Sequence, residues 1–177
     1  NSRVPLWAVN AERPFGDWNL QLIWTPDKSY YILPRQGSEF EFTSGTPSVP
    51  RGFHLDIDPP ARPSRFLADS DAGIRLSTFK AGWDLTFNYL YHYDDVPAFP
   101  RSFRFTMDGP TVVVSPEYER SHLIGGTASK AFGDVTLRVE YGLFLDKYYP
   151  TRSLFDRDGV VKGDDFSYMV GLDWFGI

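Results

Sequence analysis

Apolar and polar residues alternate with a period of two along several stretches of this chain, the pattern of a β-strand whose two faces meet different surroundings. The clearest case runs from Val135 to Leu145. Val135, Leu137, Val139, Tyr141, Leu143 and Leu145 fall on one side, with Thr136, Arg138, Glu140, Gly142 and Phe144 on the other. Phe132-Gly133-Asp134 immediately before it supplies turn chemistry. A tilted strand crosses a bilayer's hydrocarbon layer in roughly 9 to 11 residues, and this run is about that long. Trp18 to Trp24 repeats the pattern, with Trp18, Leu20, Leu22 and Trp24 opposite Asn19 and Gln21. So do Leu85 to Tyr93 and Phe166 to Phe175. Val4 to Ala11, short and apolar, Ala72 to Lys80, and His122 to Ala131, weaker and rich in Gly, Ala and Ser, read as their hairpin partners. Pro5 places the first of these at a strand start or an edge.

The connections alternate too. Tight turns fall at about 14–17, 81–84 and 132–134, and long connections at about 26–70, 95–117 and 148–165. Long structureless loops are uncommon in a compact domain, but an outer-membrane barrel carries long loops at one end and short turns at the other. The expected fold is therefore all-β, an antiparallel up-and-down transmembrane β-barrel, with residues 1–177 forming one section of about seven or eight strands from a larger barrel. Seven main strands are expected, an odd number. An eighth is expected only if the small hairpin around Met107-Asp108-Gly109-Pro110 supplies it, its flanks Phe103–Thr106 and Thr111–Ser115 extending neighbouring strands. A short strand-like piece lies at Glu39–Phe42.

Aromatic content strengthens this picture through position. Five Trp, ten Tyr and fifteen Phe make 17% of the 177 residues, and they gather where strands meet turns and loops. Trp18, Trp24, Trp83, Tyr91, Tyr93, Tyr148 and Trp174 are the candidates for a membrane interface, where an amphipathic ring sits at headgroup level. A net charge of −5 with no Lys/Arg cluster argues against nucleic acid as a partner. The absence of cysteine removes disulfides, thiolate metal sites and cysteine nucleophiles. No apolar run is long enough for a transmembrane helix, which says nothing against strands. A start at Asn1 without methionine or signal peptide reads as a mature chain or a fragment.

Four stretches carry a family likeness. They are Val4-Pro5-Leu6-Trp7-Ala8-Val9-Asn10, Trp83 to Asp95, Tyr118-Glu119-Arg120 leading into His122 to Gly126, and Asp164 to Tyr168 continuing through Gly171 to Gly176. Together they resemble the proteobacterial outer-membrane β-barrels catalogued as domain of unknown function thirteen-oh-two, over most of this chain but only a section of those longer proteins. The resemblance implies location in the outer membrane of a Gram-negative bacterium, a lipid bilayer as partner, a missing remainder of the same barrel, and passage of small solutes. It brings no catalytic residue.

If the apolar faces meet lipid, the opposite faces line a lumen. Asn19, Gln21, Arg75, Asn88, His92, Lys130, Arg138, Glu140 and Asp173 are the lumen-lining candidates, with Arg75, Lys130 and Arg138 facing Glu140 and Asp173 as a possible selectivity region. His54, Asp56 and Asp58 would share a strand face, yet no second cluster converges on them and no metal is expected there. Asp156-Arg157-Asp158-Gly159 reads as a hairpin tip rather than a calcium loop. His92 stands beside Asp94 and Asp95, but Ser77 and Ser121 have no paired base visible along the chain, so no enzyme and no cofactor are expected. The rival reading is a soluble all-β binding module for sugar or lipid.

Overall fold

The structure is a computed structural model and describes residues 7–26, 39, 49, 51–151 and 158–176. Its strands are β1 (Val9–Phe15), β2 (Trp18–Thr25), β3 (His54–Ile57), β4 (Asp71–Lys80), β5 (Trp83–Tyr93), β6 (Arg101–Thr106), β7 (Gly109–Val114), β8 (Arg120–Phe132), β9 (Val135–Pro150) and β10 (Val160–Trp174). Seven of them form one sheet in the order β1-β2-β4-β5-β8-β9-β10, and three form a second in the order β3-β7-β6. Every neighbouring pair in the large sheet is antiparallel, so β1 and β10, its two edges, run in the same direction.

Two-residue turns close its three tight hairpins: Gly16-Asp17, Ala81-Gly82 and Gly133-Asp134. Such turns match the strand twist when their central residues have positive φ. Ala81 at 52° and Gly82 at 79° both do, and the Ala81 carbonyl accepts a hydrogen bond from Lys130 Nζ at 2.9 Å.

The hairpins are also staggered by a constant step. Trp18, first after the first turn, pairs with Thr78, and β4 runs two residues further to Lys80 before turning. Trp83 pairs with Lys130, and β8 again runs two residues further, to Phe132. Each hairpin is thus displaced by two residues in the same sense. At about 3.3 Å per residue and about 4.8 Å between strands, this corresponds to strands tilted by about 35° when the turns stand level.

The structure revises several expectations. The loop hairpin does not extend neighbouring strands and supplies no eighth strand to the large sheet: β6 pairs with β7, and β3 joins β7 in parallel. Pro97, Pro100 and Pro116 flank this hairpin, and proline cannot donate to a continuing ladder. Closure into a barrel is not seen among the described residues, where β1 and β10 remain edges. The third long connection is shorter than 148–165, because β9 reaches Pro150 and β10 begins at Val160. Glu39 lies in a turn, and the remainder of Glu39–Phe42 is outside the described residues, as is Val4 to Leu6.

A bulge lets the last two strands continue. Between Gly163 and Asp165 the register slips by one residue, and Asp146 adopts φ 65°. Two residues of β9 oppose one of β10 there, which reverses the facing of β9 beyond it.

Candidate functional site

Cross-strand partners share a face, so the register sorts the whole large sheet. One row reads Leu22, Ile74, Tyr89, Ile124, Leu143, Phe166, and the next Leu20, Leu76, Phe87, Gly126, Tyr141, Tyr168. The apolar side is continuous from β2 to β10, whereas on β1 Arg13 stands opposite Leu20, and much of this side is open: Leu172, Trp174 and Tyr168 are 70%, 75% and 73% exposed. The buried hydrophobic residues are only Val112, Val113, Val114 and Tyr118 among those described. None of these four lies in a strand of the large sheet.

The opposite face is polar, and it carries Asn19, Gln21, Arg75, Asn88, His92, Arg138, Glu140 and Asp173 as expected from alternation. Lys130 does not belong with them. It pairs with Trp83 and Leu137, which puts it on the apolar face at the tight-turn end, its ammonium 5.5 Å from the Trp83 ring and 5.4 Å from the Phe132 ring. Its long stem lets the charge reach the turn while the methylenes lie along the aromatics.

Several polar-face groups are tied to each other. Arg138 pairs with Asp173 at 2.6 Å, Gln21 donates to Asn10 and Glu12 at 3.1 and 3.2 Å, and Thr86 meets Thr127 at 2.7 Å. Arg75 is exposed and has no hydrogen-bond or ionic partner among the described residues. A row of different character crosses the same face nearer the long loops: Ile23, Gly73, Leu90, Leu123 and Phe144. This apolar row was visible in the sequence only as isolated exceptions to the polar phase of four strands.

The aromatic candidates occupy two ends of the apolar face. Trp18, Trp83 and Trp174 stand at the tight-turn end, Trp83 meeting Phe132 edge-on at 6.1 Å. Trp24, Tyr91 and Tyr93 stand at the long-loop end, where the Arg120 guanidinium lies over the Tyr91 and Tyr93 rings at 4.4 and 4.1 Å. Tyr148 joins them because the bulge turns it, with its partner Lys162, to the face of Phe166. Asp146 receives Lys162 at 2.9 Å and faces His122 at 3.8 Å.

Beyond these strand ends the loops are latched by polar contacts. Asp69, buried at 3% exposure, accepts from the Arg65 guanidinium at 3.0 Å, from the Arg65 backbone N–H at 2.8 Å and from the Tyr93 hydroxyl at 3.2 Å. The Arg65 guanidinium, then its backbone N–H, hold the Asp69 carboxyl far below the usual carboxylate range against the opposing effect of burial.

Ser121 does have a histidine neighbour, which only the β5–β8 pairing brings to it. Its hydroxyl lies 3.3 Å from His92 Nε2 and donates to Asp94 at 3.3 Å, while His92 Nδ1 faces the Tyr93 carbonyl at 2.9 Å. The serine is fully buried and the carboxylate holds the serine, not the imidazole. That is the geometry of a clasp between strand ends; a nucleophile needs access and a base oriented by the acid.

His54, Asp56 and Asp58 do not converge. His54 Nε2 faces the Asp108 carbonyl at 2.9 Å, Asp58 accepts from Ser115 at 2.8 Å, and no group of three metal-ligating side chains occurs among the described residues. Of Asp156-Arg157-Asp158-Gly159, only Asp158 and Gly159 are described. Comparison with protein-family models, curated proteins and solved structures gave no match.

Proposed function

We propose that the seven-stranded sheet is a sector of a transmembrane β-barrel in the outer membrane of a Gram-negative bacterium, its apolar face against lipid and its polar face lining a lumen that passes small solutes. The observation that carries this reading is the open apolar face that runs from β2 to β10, bordered on β1 by Arg13, in a chain whose described buried hydrophobics all lie elsewhere. Water makes such a surface costly at about 25 cal/mol per Å² of apolar area, whereas lipid or a covering layer removes the cost.

Two geometric features agree with lipid. The stagger corresponds to a tilt of about 35°, at the lower end of the 35–45° of membrane barrels. From Trp83 to Tyr91 a strand covers about 27 Å, or about 22 Å across the membrane at that tilt, close to the roughly 25 Å apolar band of such barrels. The resemblance to the uncharacterised barrel family points the same way. Arg75, Arg138, Glu140 and Asp173 are then the fixed charges beside the solute path. No catalytic step, cofactor or nucleic acid enters this reading.

Gel mobility in detergent before and after boiling tests it, because a folded barrel migrates differently when unheated. A chain that is soluble without detergent and shows no shift overturns the membrane reading in favour of a soluble all-β binding module. Reversal of ion selectivity in a planar bilayer on converting Arg75→Glu and Arg138→Glu together is the expected signature of the pore; unchanged selectivity removes both from its path.

A further inference from the structure

The polar face contains one strip that a water-filled wall does not need. Ile23, Leu90, Leu123 and Phe144 form a cross-strand row interrupted only by Gly73. Glycines let these side chains lie flat on the wall. A Cβ at Gly73 would stand 3.1 Å from Leu90 Cδ1, and one at Gly142 would stand 3.6 Å from Leu123 Cδ1 and 3.9 Å from Phe144 Cε2. All four apolar residues remain partly exposed.

Next to this strip stands a cation with no ionic partner among the described residues. Arg75 is two residues along β4 from Gly73 and pairs in register with Asn88, so it neighbours Leu90 diagonally on the same face, with backbones about 7–8 Å apart. A guanidinium left without a carboxylate is a ready anion partner. At the far end of the strip Phe144 pairs with Asp165 of β10, and Lys147 Nζ lies 4.9 Å from the Phe144 ring, so the charge there is mixed and Arg75 is the anion partner. Arg138, by contrast, is already paired with Asp173.

We infer that this wall is a binding site for an amphipathic organic anion, its apolar body lying along Ile23, Leu90, Leu123 and Phe144 and its acidic group on Arg75, with the Asn88 amide beside it. The site deepens the pore reading and rests on it: a solute held this way by the wall is one that the pore would pass selectively. Charge complementarity fixes the sign of the ligand, and the flat strip fixes its apolar portion.

Calorimetry on the detergent-solubilised chain with two permanent anions, benzenesulfonate and methanesulfonate, tests the site. Benzenesulfonate is expected to bind at least about tenfold more tightly, with that advantage reduced about tenfold by Leu123→Ser, and binding weakened about tenfold by Arg75→Gln but restored by Arg75→Lys. Unboiled gel mobility shows which variants remain folded. Equal affinity for the two sulfonates overturns the inference, as does binding that survives both Leu123→Ser and Arg75→Gln. Single-channel current separates it from the larger reading: selective binding by a chain that carries no current overturns the pore and leaves the wall site standing.

Discussion

The two sheets solve the burial problem in opposite ways. In the three-stranded sheet, β7 places Val112, Val113 and Val114 in succession, and all three are buried, so both faces of that strand are covered. In the seven-stranded sheet no strand is covered like this; β2, β4, β5, β9 and β10 alternate, with Ile23, Leu90 and Phe144 as exceptions on the polar side, and the apolar face is open. A consecutive apolar run is the pattern of protein packed on both sides, and strict alternation is the pattern of a surface between two solvents. The small sheet brings its own core, and the large one leaves its apolar face open.

A charge on the apolar face breaks the comparison hardest. Val139→Arg, midway between the two aromatic ends, is expected to cost about 2–4 kcal/mol in lipid vesicles, while Glu140→Arg on the adjacent polar position costs less than about 0.5 kcal/mol. Urea unfolding followed by tryptophan fluorescence measures both, and equal costs would sink the assignment of faces.

Next comes Gly126→Ala. Its new Cβ would stand 2.7 Å from the Thr86 carbonyl oxygen and 2.8 Å from Tyr141 Cε1, because the Tyr141 ring covers the glycine opposite it. A loss of about 2 kcal/mol is expected from this overpacking, read from the same unfolding curves. Val113→Ala is smaller, about 1.5 kcal/mol, and it acts on the other sheet. It should speed protease cleavage within residues 51–118 while leaving the unboiled gel mobility unchanged.

The smallest effect is a pH dependence of the loop latch. Because Asp69 has its carboxyl held below the unfolded value of about 3.9, its contribution is complete above that value and declines as pH falls through it toward the folded one. Hydrogen exchange around residues 65–70, corrected for its intrinsic pH dependence, should therefore be flat from neutral pH to about 5 and rise below about 4. Asp69→Asn should give faster exchange with no such step.

Much of the large sheet was legible in the sequence, because its signals are local. Turn pairs such as Gly133-Asp134 and the alternation of Val135 to Leu145 lie within a few residues of each other. What was not legible depends on distant pairing. Lys130 stands on the face opposite to the one expected because β8 is rich in Gly, Ala and Ser and shows little alternation, so only its pairing with Trp83 fixes its side. The parallel match of β3 with β7 joins residues more than fifty apart and leaves no local trace. The left-handed Asp146 gives no cue of its bulge, since aspartate there reads as ordinary strand-end polarity.

The common direction of β1 and β10 sets a parity rule. Any closed wall in which every neighbour is antiparallel holds an even number of strands, and this sheet contributes seven. Whatever completes such a wall adds an odd number, a single strand at the least. The two open edges are thus complementary to the same kind of insert, one that begins beside β10 and ends beside β1 running opposite to both.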